Sequence, residues 1–292
     1  MQVGKTTRFL HVTLFALLHA FCGLAETTSP SPFNGLSAGG AKSAPALDPC
    51  AAVGQVRSRY GFCTGTLLSP YVVLTAAHCV SAVPVREIDF TLDRNPFWNG
   101  ETRLAKTMEV KIHPGYGRAS FSELGPSEIK VNDLALVFLE STSYGEPPPG
   151  YLPLNSVQSF WKGRPLQSPG YGTNANGSHS QFRVATVDVL MVFAPGNFIL
   201  MSPRTGEQVV CKGDSGGPLV GENNGGFEIV GVLSAGGFNG PRPKKDNCET
   251  STLAYYTGTL AHKEWISRHT AWLPPARGAA SVPGLKDKKS SW

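Results

Sequence analysis

The chain has 292 residues, 41% of them apolar and 16% charged, with a formal net charge of +5. That length is generous for one domain and natural for two barrels sharing one core region. The composition is that of a globular protein. No apolar run reaches the about 18 residues that a spanning helix needs, and the charge is too mild to imply a nucleic-acid partner.

The first residues, 1–25, carry Lys5 and Arg8, then an apolar stretch from Phe9 to Leu18, then Gly23-Leu24-Ala25. A positive start, a short apolar middle and small residues at the end describe a secretory signal peptide, with cleavage expected after Ala25. The expected location is therefore extracellular. Residues 26–47 are rich in Ser, Pro, Gly and Ala. They read as a flexible leader, with 26–37 as a short propeptide. Five cysteines remain after the signal (Cys50, Cys63, Cys79, Cys211 and Cys248). An oxidising compartment favours their pairing.

From there the chain reads as short strands broken by turns. Residues 51–56, 62–68 and 71–75 are β-rich, with Ser69-Pro70 between the last two. Residues 107–112 and 134–139 continue the pattern, and the Pro-rich stretch 145–150 marks a crossing to a second half. There, Asn176-Gly177-Ser178 is a glycosylation sequon, and 227–234 alternates as a strand. Glu264-Trp265-Ile266 lies in an expected C-terminal helix, and 271–292 reads as a disordered basic tail whose Lys286-Asp287-Lys288-Lys289 is solvated.

Chemistry concentrates in Lys212-Gly213-Asp214-Ser215-Gly216-Gly217-Pro218. A serine between glycines on a tight turn leaves backbone amides free to approach a developing oxyanion. Gly-x-Ser-x-Gly alone fits two unrelated folds. Upstream stand Thr75-Ala76-Ala77-His78-Cys79 and Asn132-Asp133-Leu134-Ala135-Leu136, so the order is His, Asp, Ser. An α/β-hydrolase esterase would run Ser, acid, His, and the histidines after Ser215 are only His262 and His269, in a polar stretch that reads as a surface helix. Singly, His78 reads as a core histidine and Asp133 as a loop carboxylate; together, in order, they read as catalytic.

These three motifs resemble the chymotrypsin/trypsin-like serine proteases, over roughly residues 38–270. The resemblance implies an all-β fold: two antiparallel six-stranded β-barrels, an active site in the cleft between them and a short C-terminal helix. It sets the first barrel at about 38–145, the second at about 155–260 and the helix at about 261–270. It implies a nucleophile Ser215, a general base His78 that Asp133 orients, and an oxyanion hole from the amides of Gly213 and Ser215. It pairs Cys63 with Cys79 and Cys211 with Cys248, which leaves Cys50 over, either free and buried or paired with another chain. Pro169-Gly170-Tyr171-Gly172 resembles a Gly-Trp-Gly turn of the family, and His113 a surface residue of a structural turn.

The family's specificity pocket falls on Val209, Val210, Ser234, Gly236 and Ala254, apolar and open, which implies an aliphatic or aromatic residue before the scissile bond. Ala235 stands where the family usually has Trp. Arg242, Lys244 and Lys245 make a basic loop that could favour acidic flanking residues. Activation in the family buries a new terminal ammonium against the acid before the nucleophile, here Asp214. Ser37-Ala38-Gly39-Gly40 stands at that position with only the glycines matching. The expected activity is thus that of a secreted serine endopeptidase made as a zymogen, needing no metal or cofactor, with protein or peptide substrates and proteinaceous inhibitors as partners. The alternative is a weak or inactive homologue acting as a binding module.

Overall fold

The computed structural model describes residues 48–94, 102–120, 128–144, 151, 153–154, 164–173, 182–193, 210–223, 226–237 and 253–271, and the backbone of 198–203. In chain order the strands are β1 Val53–Ser58, β2 Gly61–Ser69, β3 Val72–Thr75, β4 Asp89–Thr91, β5 Ala105–Ile112, β6 Gly117–Ser120, β7 Glu128–Val131 and β8 Ala135–Leu139. After the crossing come β9 Pro165–Gly170, β10 Arg183–Phe193, β11 Phe198–Pro203, β12 Pro218–Asn223, β13 Gly226–Gly237 and β14 Leu253–Gly258, then the helix α1 Lys263–Thr270. Six strands close a first barrel in the order β1-β2-β3-β8-β5-β4, and six close a second in the order β10-β11-β14-β13-β12-β9. The named strands pair antiparallel. This is the architecture that the motifs implied.

The pairing explains the sequence of the central strands. β3 and β8 are buried at every position, which a strand covered on one face only would not be. Val73, Val137 and Leu139 point into the first barrel with Phe90 and Tyr144. Their neighbours Val72, Leu74, Leu136 and Phe138 point the other way, against Val220, Ile229 and Val232 of the second barrel and Ile266 of α1. A continuous apolar run therefore serves two cores at once.

Three short elements carry no sequence pattern strong enough to announce them: β4, and the separate two-stranded sheet of β6 and β7. Prolines at 165 and 169 sit in β9, which pairs fully with β10 but meets β12 at a single position, Val220 opposite Gln167. A strand with one sparsely bonded side tolerates the missing amides. The Cys63–Cys79 disulfide forms as the family resemblance implied, closing a span of 16 residues between β2 and the turn after β3. Cys50 is buried but disulfide-bonded, so it is not the free thiol that the expected pairings left over.

Two histidines depart from their sequence reading. His113 packs edge-to-face on His262 and Trp265, with ring centroids 4.9 and 5.0 Å away, because α1 folds back over the turn after β5. Burial, with the nearby His262, lowers its pKa. His262 itself is buried at the entrance to the helix rather than on its surface. The solvent face of α1 shows instead in the exposed pair Arg268–Glu264.

Leu136→Ala should lower unfolding free energy by about 2–5 kcal/mol, since the cavity would open between two barrels that cannot both collapse into it. Met108→Ala, at a 58% exposed position, should stay within about 0.5 kcal/mol. Urea denaturation of the two variants checks both values.

Candidate active site

Strand register delivers two of the site residues. Thr75 pairs with Ala135 where β3 meets β8, so the chain leaving β3 and the chain entering β8 lie side by side. His78 follows on a single 3₁₀ turn, Ala77–Cys79, and Asp133 stands just ahead of β8. The fully buried Ala76 and Ala77 let that turn press between the barrels. His78 N donates to Asp133 Oδ1 at 2.9 Å, and the ring Nδ1 lies 2.7 Å from Oδ2. Since an ionised carboxylate only accepts, Nδ1 carries the proton and Nε2 is left as the basic atom.

Asp133 has no solvent exposure. Burial pushes its carboxyl up, but the His78 bond and charge, the Ser234 hydroxyl and the His78 amide together hold it below the usual carboxylate range. By linkage, the stability this gives is present above the ordinary carboxylate pKa and is lost only as pH falls through the lowered value. Ser234 Oγ donates to Oδ2 at 2.6 Å, so a residue expected in the specificity pocket also completes the carboxylate's shell.

Asn132, next to Asp133, adopts φ 49°, a left-handed conformation that Asn tolerates better than most residues. Its Nδ2 donates to Gly115 O at 2.8 Å, and its Oδ1 faces His262 Nε2 at 2.8 Å. His262 Nδ1 lies 2.7 Å from Gly258 O. The corner that aims Asp133 is therefore tied to both the β6 approach and the second barrel.

The turn that carries Ser215 is held by one side chain that the sequence did not advertise. Thr64, fully buried on β2, donates its hydroxyl to Gly213 O at 2.8 Å and accepts from Tyr171 N at 3.2 Å. Its amide donates to Ser215 O at 2.8 Å, and its carbonyl accepts from Thr75 Oγ1 at 2.8 Å. Gly213 has φ 97° and Gly216 φ 82°. A Cβ on Gly213 would collide with the Phe62 ring, and one on Gly216 with Thr75 and the Thr64 carbonyl. Neither the Gly213 nor the Ser215 amide donates to another described backbone group, which suits donors kept for an oxyanion.

Asp214 is almost wholly buried. Its Oδ1 accepts from Gly172 N at 2.5 Å, and its Oδ2 accepts from Cys211 N and Arg183 Nη2, both at 2.7 Å. Burial pushes this carboxyl up, against the pull of the Arg183 charge and the two amides. Carboxylate atoms lie so close to Gly170 and Gly172 that a methyl group at either would overlap them. This packing accounts for both glycines of the Pro169–Gly172 turn.

The structure brings His78 and Asp133 into direct contact, and pins Ser215 beside them through its backbone. Cys79 Sγ, adjacent to His78, lies 3.7 Å from Ser215 O. Among the described residues, no hydrogen bond joins Ser215 Oγ to His78 Nε2. Such bonds often tighten only when substrate is bound. Val210 and Ala254 lie in the apolar core of the second barrel with Leu233 and Tyr256. Gly236 is exposed and pairs with Ala254, and Ala235 pairs with Tyr255. Val209, Cys248, Ser37–Gly40, the sequon and the basic loop of Arg242, Lys244 and Lys245 lie outside the described residues. Cys211 is disulfide-bonded.

Lys130 is a charged neighbour that sequence reasoning passed over. Its Nζ donates to Ser234 O at 3.4 Å, and burial lowers its pKa while the Asp133 charge opposes this. Beside the site a groove of about 670 Å³ runs between Phe62, Val83, Ile88, Lys212, Gly213 and His78. Cys63, Cys79 and His78 come within 4.8 Å of one another, but the disulfide spends both sulfurs and leaves no thiolate for a metal. No helix among the described residues is long and apolar enough to cross a membrane.

Residues 37–266 match the family model described as Trypsin. The chain belongs to the trypsin family. It is a serine endopeptidase, a hydrolase of protein substrates, on the double-barrel fold. It is 27% identical to "Serine protease SSP1" of Scolopendra subspinipes over 239 residues, which are 72% of this chain and 73% of that protein. It is 28% identical to "Trypsin delta" of Drosophila erecta over 193 residues, 62% of this chain and 70% of the relative. Against "Hepatocyte growth factor activator serine protease" of Homo sapiens it is 27% identical over 82% of its own length, but spans only 37% of that protein.

Thr64→Val keeps the shape of the bolt and removes its hydroxyl. The loss of one buried hydrogen bond on the Gly213 carbonyl, about 0.5–1.5 kcal/mol, should lower kcat by up to about tenfold with KM little changed. Steady-state kinetics on a peptide substrate reads this split.

Proposed function

We propose that the chain is a secreted endopeptidase working through an acyl-enzyme, with a preference for an apolar residue before the scissile bond. The observation that carries the mechanism is the His78–Asp133–Ser234 network. It fixes the imidazole tautomer with Nε2 basic, next to a serine whose backbone is bolted in place. Ser215 Oγ attacks the peptide carbonyl while His78 Nε2 takes its proton. The same proton passes to the leaving amine, and water then repeats the sequence on the acyl group. The Gly213 and Ser215 amides receive the oxyanion in each tetrahedral stage. Asp133 stays ionised throughout and stabilises the imidazolium.

The pocket reading rests on residue types. Val209 stands where an acid would select Lys or Arg, and Val210 and Ala254 offer no charge. One methylene in an apolar pocket is worth only about 1–3 kcal/mol, so discrimination among apolar residues is modest. The groove at Phe62 and Lys212 reaches both His78 and Gly213, and so suits the part of the substrate that leaves with the amine. Export is supported by the composition of residues 1–25. Proteinaceous inhibitors that present an extended loop are candidate partners of the same cleft.

Ala235 in place of an aromatic residue, and the missing bond between Ser215 Oγ and His78 Nε2, favour a second reading as a non-cutting binder. Labelling with a fluorophosphonate separates the two. One adduct per chain is expected, read by intact mass and absent in Ser215→Ala; no adduct on a folded, processed chain supports the binder. Asp133→Asn should lower kcat by about 10⁴-fold. Peptides with Leu or Phe before the cut should outrun those with Lys or Arg, and the reverse order would sink the pocket assignment.

A further inference from the structure

Asp214 is more than the neighbour of the nucleophile: this carboxylate has its own cation. Arg183 opens β10 in register with Gly170 of β9, two residues before Gly172, whose amide also binds Asp214. From that paired strand its guanidinium reaches Asp214 Oδ2 at 2.7 Å, with side-chain exposures of 16% and 7%. Among the described residues the carboxylate thus has one full positive charge and two amides as partners.

Resting on the endopeptidase reading, we propose that Arg183 is a positioning residue: it holds Asp214, and through it the Gly213–Ser215 turn, in the conformation that receives the oxyanion. Assembly of the site then needs no newly freed terminal ammonium.

Three observations carry this. First, Arg183 already neutralises Asp214 among the described residues. A second cation there would have to share that carboxylate, with its own desolvation costing several kcal/mol. Second, the space is closed on the glycine side. Gly170 and Gly172 stand so near the carboxylate that not even a methyl group fits there. Third, Asp214 is the middle of the turn that makes the hole. Its amide donates to Cys211 O at 3.0 Å and its carbonyl accepts from Gly217 N at 2.9 Å. Its side chain is therefore the tether that decides where the flanking Gly213 and Ser215 amides point. The Ser37-Ala38-Gly39-Gly40 stretch, with small residues where the family has large apolar ones, is consistent with a terminus not selected for burial.

The experiment uses the secreted chain with its own N-terminus and reads the rate of fluorophosphonate labelling, kcat and KM. In one arm the α-amine of the wild-type protein is acetylated near pH 7, where it reacts ahead of the lysines, and a single acetyl is verified by mass. The labelling rate and kcat should stay within about twofold. In the other arm Arg183→Gln should lower kcat by about 10²-fold, the scale of losing an oxyanion donor, with KM nearly unchanged. Arg183→Lys should recover part of the rate, and millimolar guanidinium should rescue Arg183→Ala saturably, which a general loss of packing would not allow.

If acetylation abolishes labelling, the terminal ammonium is the working cation and the proposal is overturned without recourse to any variant. If wild type labels and Arg183→Gln labels at the same rate, the proposal fails while the endopeptidase reading stands. If the processed wild type does not label at all, the endopeptidase reading fails and takes this one with it.

Discussion

A carboxylate with almost no access to water, Asp214, stands immediately before Ser215, and much of the candidate site is arranged around that one buried charge. Desolvating an ion costs several kcal/mol even after relaxation, so Asp214 persists as a carboxylate only with donors at hydrogen-bonding distance. Two of them are backbone amides, Gly172 and Cys211. On the side of the Pro169–Gly172 turn the backbone comes so close that no Cβ fits, hence the glycines on either side of Tyr171. The same demand fixes the turn around Ser215, because the carboxylate cannot keep its donors if the turn moves. The geometry of the Gly213–Ser215 turn is in this sense a consequence of charge burial.

The seam between the barrels supplies the rest of the rigidity. His78 and Asp133 hang from adjacent ends of β3 and β8, whose outward faces carry the inter-barrel core. Ser215 belongs to the second barrel, and a shift of one barrel against the other would break the constellation. Thr64 resists that shift with four hydrogen bonds, three of them to the second barrel or its turn. Tyr171 adds another, its buried hydroxyl donating to Val53 O at 3.3 Å. Burial pushes that phenol up to about 12, so it remains a donor throughout the neutral range.

Local sequence carried the fold and marked out His78, Asp133 and Ser215 as a candidate triad because both signals are local. A Gly-rich turn needs glycines in a row, and strands buried on two faces show as apolar runs such as Val72–Leu74. Chain order then chose between two folds for one motif. What escaped notice was the set of single contacts made between residues far apart. Thr64 meets Gly213 across 149 positions and Ser234 meets Asp133 across 101, and no periodicity marks either partner. His262 looked like part of a polar helix because its neighbours Lys263 and Glu264 are solvated; its own burial comes from Asn132, 130 positions earlier. Arg183 was silent for the same reason. It opens an ordinary strand, and only the register with Gly170 brings it to Asp214.

A cation built into a strand and a cation at a chain end differ in what must be ordered to use them. A terminal ammonium reaches a buried carboxylate only when the residues behind it take up one conformation, at about 1–2 kcal/mol per residue of backbone entropy. That cost makes the formed and unformed sites comparable in free energy, which is why such a device can serve as a switch. Arg183 starts on backbone already held by pairing with β9, so its use costs only side-chain freedom, about 2 kcal/mol at most. Its planar fork also keeps direction better than an ammonium, which is a point charge on a flexible stem. The equilibrium is then tipped toward the formed turn by the fold itself. With Arg183 in that role, control of such an enzyme would fall on access to the cleft and not on the shape of the Gly213–Ser215 turn.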